Sequence, residues 1–282
     1  MQHLYIYDTH SSSHKNKIMN NLFIFVLLIS IFLIQDCWAS IVSTGDFNKD
    51  FFVTWSPSHV NTSIDGHSRS LVLDKDSGSG FASNDMFLFG QFDMKIKLVP
   101  GNSAGTVVAF YLNRNGISVL PVRFWFNLRS QSKIGNHRFF SSKLEPRIRF
   151  MVDWVPIRTY RNHADKGVAY PRWQPMSVQA SFGDGESWAT NGGKDKIDWS
   201  KAPFVATFKD HKIDACVWKG NEGSCSDPKP TNWWNNKRFN SLTWAQRRLF
   251  KWVEKYHVTY DYCQDYPRFN NTLPKECLLP KY

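Results

Sequence analysis

Between Met94 and Leu144 the chain has no aspartate or glutamate, although eight of those 51 residues are lysine or arginine. At the chain-wide frequency of 24 acids in 282 residues, such a stretch would hold about four carboxylates. Acid/base or nucleophilic chemistry by paired carboxylates is therefore excluded from this part of the chain. Metal-ligand spacing is missing too. There is no CxxC pair and no clustered histidine, so the cysteine count alone speaks for zinc. No internal repeat is visible, and strands do not alternate with helices, which argues against solenoids and doubly wound α/β folds. The longest apolar run, Leu22–Ile34, has 13 residues, too few for a comfortable membrane span.

That run follows Lys15 and Lys17 and precedes Cys37-Trp-Ala39, which sets small residues at −3 and −1 of a cleavage site. The pattern reads as a secretory signal peptide over residues 1–39, cut after Ala39. Met19 begins a more ordinary leader, so residues 1–18 read as a surplus upstream extension. Cys216, Cys225, Cys263 and Cys277 remain in the mature chain. An even count in a secreted protein reads as two disulfides, and local pairing (Cys216 with Cys225, Cys263 with Cys277) is the simplest of three connectivities. Asn61 and Asn270 open glycosylation sequons. The net charge of +11 suits adhesion to a polyanionic matrix such as pectin, and no nucleic-acid motif accompanies it.

Hydrophobic content of 42% supports a real core. The 12 tryptophans suit both a thick β core and a groove where sugar rings stack on indoles. Residues 51–55, 70–73 and 91–98 read as short strands bounded by Gly, Asp, Asn and Ser clusters. Residues 105–112 form a nearly continuous apolar run, as in a strand buried on both faces. From Asn113 to Lys143 the text is basic and fits neither helical nor strand period. Order returns at Arg149–Arg158, a strand leading into a turn, with further strands around 176–182 and 204–208. Leu242–Tyr256 has helical periodicity. These strands predict an all-β sandwich or jelly roll with a helix-containing extension packed on it.

Several segments together resemble the plant xyloglucan endotransglucosylase/hydrolase family of glycoside hydrolase family 16. They are Leu73-Asp-Lys-Asp-Ser-Gly-Ser-Gly-Phe81, Phe87-Leu-Phe-Gly90 and Lys97-Leu-Val-Pro-Gly-Asn-Ser-Ala-Gly-Thr-Val107. Val152-Asp-Trp-Val-Pro-Ile-Arg158, Gln174-Pro-Met176, Trp188-Ala-Thr-Asn-Gly-Gly193 and Asp198-Trp-Ser-Lys-Ala-Pro-Phe204 follow. The tail adds Gln246-Arg-Arg-Leu-Phe-Lys-Trp-Val253 and Tyr260-Asp-Tyr-Cys263. The resemblance covers residues 44–112 and 149–277. It implies a curved, concanavalin-like jelly roll over 40–212, with a disulfide-bonded extension over 213–282. It also implies retaining cleavage of the xyloglucan backbone with transfer to another chain or to water, in the cell wall, by a monomer without cofactor or metal.

The family's chemistry resides in a strand motif, His-Asp-Glu-Ile-Asp-Phe-Glu-Phe-Leu-Gly, whose alternation puts three carboxylates on one face. This sequence has no such motif, and residues 113–148 stand in its place. The interval to Val152 is shorter than the family's by roughly two dozen residues. Glu145 lacks acidic partners at i−2 and i−4, and Asp184-Gly-Glu186 reads as a solvated turn. No catalytic residue is therefore assigned. A frameshifted or mis-spliced exon and true divergence compete as causes, and the first is favoured because the segment lacks strand alternation. Three products remain: a family enzyme, a non-catalytic xyloglucan-binding wall protein, or a chain that does not fold. By the resemblance, Trp188 stacks on a glucosyl ring, with Gly192 in the following turn, and Arg268 donates to xyloglucan. Trp154, Trp173 and Trp199 are expected to pack, and His67, His163 and His257 to be ordinary residues.

Overall fold

The computed structural model describes residues 41–113, 125–126, 136–144, 146–221, 223–227, 232–258 and 260–281. The expected leader, most of the basic segment and Glu145 lie outside them. Residues 41–282 form one compact unit. Its first sheet has five antiparallel strands in the order β1 (Phe51–Trp55), β4 (Ser79–Ser83), β11 (Ser177–Asp184), β6 (Thr106–Asn113) and β7 (Trp125–Phe126). The second has seven: β10 (Val155–Arg161), β9 (Arg147–Val152), β8 (Asn136–Lys143), β5 (Phe87–Lys97), β12 (Phe204–Val217), β3 (Ser68–Leu73) and β2 (Val60–Thr62). The fold is the expected β sandwich.

Period-two alternation builds the core. In β5, Phe92, Met94 and Ile96 turn inward, while Gln91, Asp93 and Lys95 turn outward. Phe81, Phe110, Val178, Ala180 and Phe182 meet them from the smaller sheet, with Phe204, Ala206 and Phe208 of β12 completing the layer. The 105–112 run becomes β6, buried on both faces over most of its length. That strand lies inside the sheet, between β11 and β7.

Two readings of the sequence need correction. The supposedly aperiodic stretch ending at Lys143 contains β8, which pairs with β5 along its whole length, from Gly90 opposite Lys143 to Lys97 opposite Asn136. Phe139 is buried opposite Met94. The expected strand at 149–158 is instead a hairpin. Asp153 and Trp154 take positive φ of 47° and 68°, the sign pattern of a two-residue type I′ turn. The Asp153 carboxylate fastens the turn to β8 by accepting from the Arg138 backbone N–H at 2.8 Å, with His137 Nδ1 2.7 Å from its other oxygen. Trp154 is exposed in this turn beneath the Arg138 guanidinium, not packed in the core.

Strand β12 runs unbroken past residue 212 to Val217, and the C-terminal extension leaves the sandwich there. Disulfides join Cys216 to Cys225 and Cys263 to Cys277. A helix at Trp244–Tyr256 begins with a reciprocal capping box between Thr243 and Gln246. Buried guanidiniums on β9 dock the extension: Arg147 donates to the Asn240 carbonyl and Arg149 to that of Phe239 at 2.6 Å. Thr159 adds a hydrogen bond to the Lys281 carbonyl at 2.7 Å, and His163 Nε2 lies 3.0 Å from that of Pro280.

Candidate functional site

The outward face of the five-stranded sheet follows from its register. Trp55, Gly80, Ser181 and Ala109 stand in one row across β1, β4, β11 and β6, and Ala109 pairs onward with Trp125 of β7. The neighbouring row is Phe52, Ala82, Gln179 and Tyr111. Gly80, Ser181 and Ala109 make the first row small, and the indole of Trp55 lies over its Gly80 end, 41% exposed. Gly80 is required there, because a Cβ on it would lie 2.4 Å from Trp55 Nε1. A half-exposed ring on the outward face of the sheet suits the apolar face of a sugar.

The loop after β11 carries Trp188. Asp184 ends the strand and accepts from the Glu186 N–H at 2.7 Å, closing a tight turn. The Glu186 carboxylate lies 3.9 Å from Lys196 Nζ. Gly105, just before β6, anchors the loop twice. Its carbonyl accepts from the Gly185 N–H at 2.9 Å, and its own N–H donates to Thr190 Oγ1 at 2.9 Å. A Cβ on Gly185 would lie 2.5 Å from Val107, so the loop and β6 are in close contact. Thr190, Asn191, Gly192 and Gly193 then all take positive φ, from 34° to 83°. For a β-branched threonine this is a strained conformation, held by the surrounding bonds. The result presents Trp188 at 47% exposure, and Gly192 beyond it faces open space.

Arg268 stands elsewhere, in the extension. Its guanidinium donates to the Tyr260 hydroxyl at 3.0 Å, and that hydroxyl donates to Asp265 at 2.7 Å. Trp188 and Gly192 therefore share one loop, whereas no hydrogen bond or ring contact among the described residues joins Arg268 to them. Trp173 packs edge-on against Phe89 at 5.4 Å and Trp199 against Phe204 at 6.2 Å. Trp55 is not singled out by the sequence, because its place opposite Gly80 is set by the strand register alone.

The chemistry of the face is one-sided. Its described strands offer aromatic rings, amides and hydroxyls. Asp184 is their only acid, at the end of β11 opposite Thr106 and out of line with the Trp55 row. Nothing there pairs one carboxylate with another. Asp93, an acid of β5, is buried on the other sheet, 3.0 Å from Arg138 Nε. Hydrogen bonds from the Ser200 hydroxyl and Lys201 hold the Asp198 carboxyl below its ordinary pKa, as expected of a turn carboxylate.

Comparison with known proteins adds three findings. Residues 47–120 and 126–201 match the pattern described as "Glycosyl hydrolases family 16", and residues 228–277 match "Xyloglucan endo-transglycosylase (XET) C-terminus". The chain is 55% identical over 290 residues to "Probable xyloglucan endotransglucosylase/hydrolase protein 10" of Arabidopsis thaliana, covering 92% of this chain and 97% of the relative. It is 39% identical over 259 residues to "Probable xyloglucan endotransglucosylase/hydrolase protein 6" of the same plant, covering 82% and 88%. Among solved structures, "Crh5 transglycosylase in complex with NAG" aligns at TM-score 0.49 with 15% identity, covering 63% of this chain and 85% of that one.

Proposed function

Because the chain belongs to the xyloglucan endotransglucosylase/hydrolase family within glycosyl hydrolases family 16, we propose that it binds xyloglucan in the cell wall but has lost the family's transfer reaction. One observation carries this reading. In the ladder, β6 is followed directly by the two-residue β7, and none of the described strands sets paired carboxylates on the outward face. Retaining transfer needs one carboxylate to attack the anomeric carbon and another to protonate the leaving oxygen. Trp55 and Trp188 supply stacking surface, Gly192 leaves clearance for a branched chain, and Arg268 donates from the extension. The leader is removed after Ala39, and the mature protein acts as a monomer whose +11 charge holds it to pectin. Asn61 and Asn270 are both exposed, which suits glycosylation.

A second reading concerns origin. The family match breaks between residues 120 and 126, and the alignment to the Arabidopsis relative spans 290 residues although it takes in only 92% of this chain's 282. That break favours a mis-spliced product of a gene whose intact form is active. Sequencing cDNA across residues 105–160 tests it, since a longer message carrying Glu-x-Asp-x-Glu would replace the binding-only reading. For the chain as written, the test is transfer between xyloglucan and a labelled oligosaccharide acceptor, run beside affinity electrophoresis in xyloglucan.

A further inference from the structure

The helix Trp244–Tyr256 is oriented by Phe250 and Val253, which are buried, while Gln246 and Glu254 flank them. At 100° per residue, the stripe opposite Phe250 holds Trp244, Arg248, Trp252 and Lys255. A solvent-facing stripe ordinarily carries polar residues, yet here aromatic and basic side chains alternate along about 16 Å of helix. Trp244 is 74% and Trp252 48% exposed, so neither indole serves the core. The Arg248 guanidinium lies 5.5 Å from the Trp244 ring centroid, and Trp252 packs on His257 at 4.2 Å. These contacts hold rings and charges in place before any ligand arrives.

The charge of the stripe is uncompensated. The helix has four lysines or arginines and a single acid, Glu254, which is already paired with Lys281 at 3.2 Å. From Lys237 to Lys281 nine basic residues face four acidic ones. Alternating indoles and fixed cations complement a polymer with apolar ring faces and regularly spaced carboxylates. We propose that this stripe is a second polysaccharide site, specific for an acidic, uronate-bearing chain. The inference deepens the proposed adhesion to pectin by naming the site, and it is separate from the xyloglucan face, which belongs to the five-stranded sheet. Stacking supplies contact with the sugar rings, and Arg248 and Lys255 pair with carboxylates on successive units.

The test uses the full mature chain in affinity gels containing de-esterified polygalacturonate, fully methyl-esterified polygalacturonate or xyloglucan. Wild type should be retarded by the de-esterified polymer alone among the two pectins, with retardation falling as salt rises. Trp252→Ala and Arg248→Gln, both at exposed positions, should each weaken that retardation about tenfold and leave xyloglucan retardation unchanged. Trp188→Ala should do the reverse, so failure of one site is distinguishable from failure of the other. Equal retention by the esterified polymer, or polygalacturonate binding indifferent to both helix variants, would overturn the proposal. So would tighter binding of single-stranded RNA or of phosphatidylserine vesicles with the same dependence on Trp252.

Discussion

The ammonium of Lys143 is buried at the end of the sandwich core, donating to the Gln174 carbonyl at 2.5 Å, with the Phe89 ring 5.6 Å away. Lys143 stands opposite Gly90 and on the same face of β8 as Phe139, where an apolar residue would fit. Burial pulls its pKa from 10.5 down to about 7. In the unfolded chain the amine titrates at its ordinary value, so between those two values the unfolded state holds more of the proton. Stability therefore rises with pH across this window, and below about 7 the full cost of a buried charge is present, on the order of 5 kcal/mol.

Replacing that lysine should stabilise the protein in acid. Lys143→Met keeps the volume and removes the charge, and the expected gain is about 1–4 kcal/mol at pH 6, shrinking toward pH 10. Urea midpoints of wild type and variant at the two pH values give the comparison. A gain that stayed constant between the two pH values would mean that the lysine binds its proton equally in the folded and unfolded states, so that burial does not lower its pKa.

Lys143 also shows why part of the fold could not be read. The strand runs at 91–98 and 105–112 were legible because apolar residues recur where the core lies. In β8 a lysine occupies a core-facing position, which hides the alternation although the ladder to β5 is complete. Strand β4 was hidden differently: Gly80 and Ala82 face outward beneath Trp55 and Phe52, so small size, not polarity, marks its surface. The hairpin at Asp153–Trp154 lacks the usual glycine, and its positive φ values are stabilised by tertiary bonds to β8. For the candidate site, Trp188 was singled out through its family motif, and the structure adds that its indole is exposed. The row that joins Trp55 to Ala109 exists only once β4 and β11 intervene, a pairing that sequence spacing does not reveal.

The disulfides should each be worth measurable stability. Cys216–Cys225 and Cys263–Cys277 close loops of nine and 14 residues. Loop-closure entropy puts each at about 2–3 kcal/mol. Cys263→Ser/Cys277→Ser should therefore lower the denaturation midpoint and release the tail around Arg268. Tryptic mapping without reductant should recover both local pairs, and free thiols or crossed pairs would refute the arrangement.

Leader removal has a direct readout. N-terminal sequencing of secreted protein should begin at Ser40, because small residues at −3 and −1 and the preceding apolar run suit the processing enzyme. A start at Met1 or Met19, or retention in the cytosol, would rule this out.

Activity separates the family's reaction from what this chain retains. Under the proposed reading the chain lacks the carboxylates that attack the anomeric carbon and protonate the leaving oxygen, and enzymes typically supply about 8–23 kcal/mol of barrier lowering. Purified protein of this sequence should show no transfer from xyloglucan to a labelled oligosaccharide. Binding should persist through stacking, so Trp188→Ala and Trp55→Ala should each weaken xyloglucan retardation about tenfold, without unfolding, since both indoles are exposed. Asp184 and Glu186 are engaged in the turn and in the contact with Lys196, so Glu186→Gln should leave binding unchanged. Robust turnover abolished by Glu186→Gln or Glu145→Gln would show instead that a relocated carboxylate pair has taken over the chemistry.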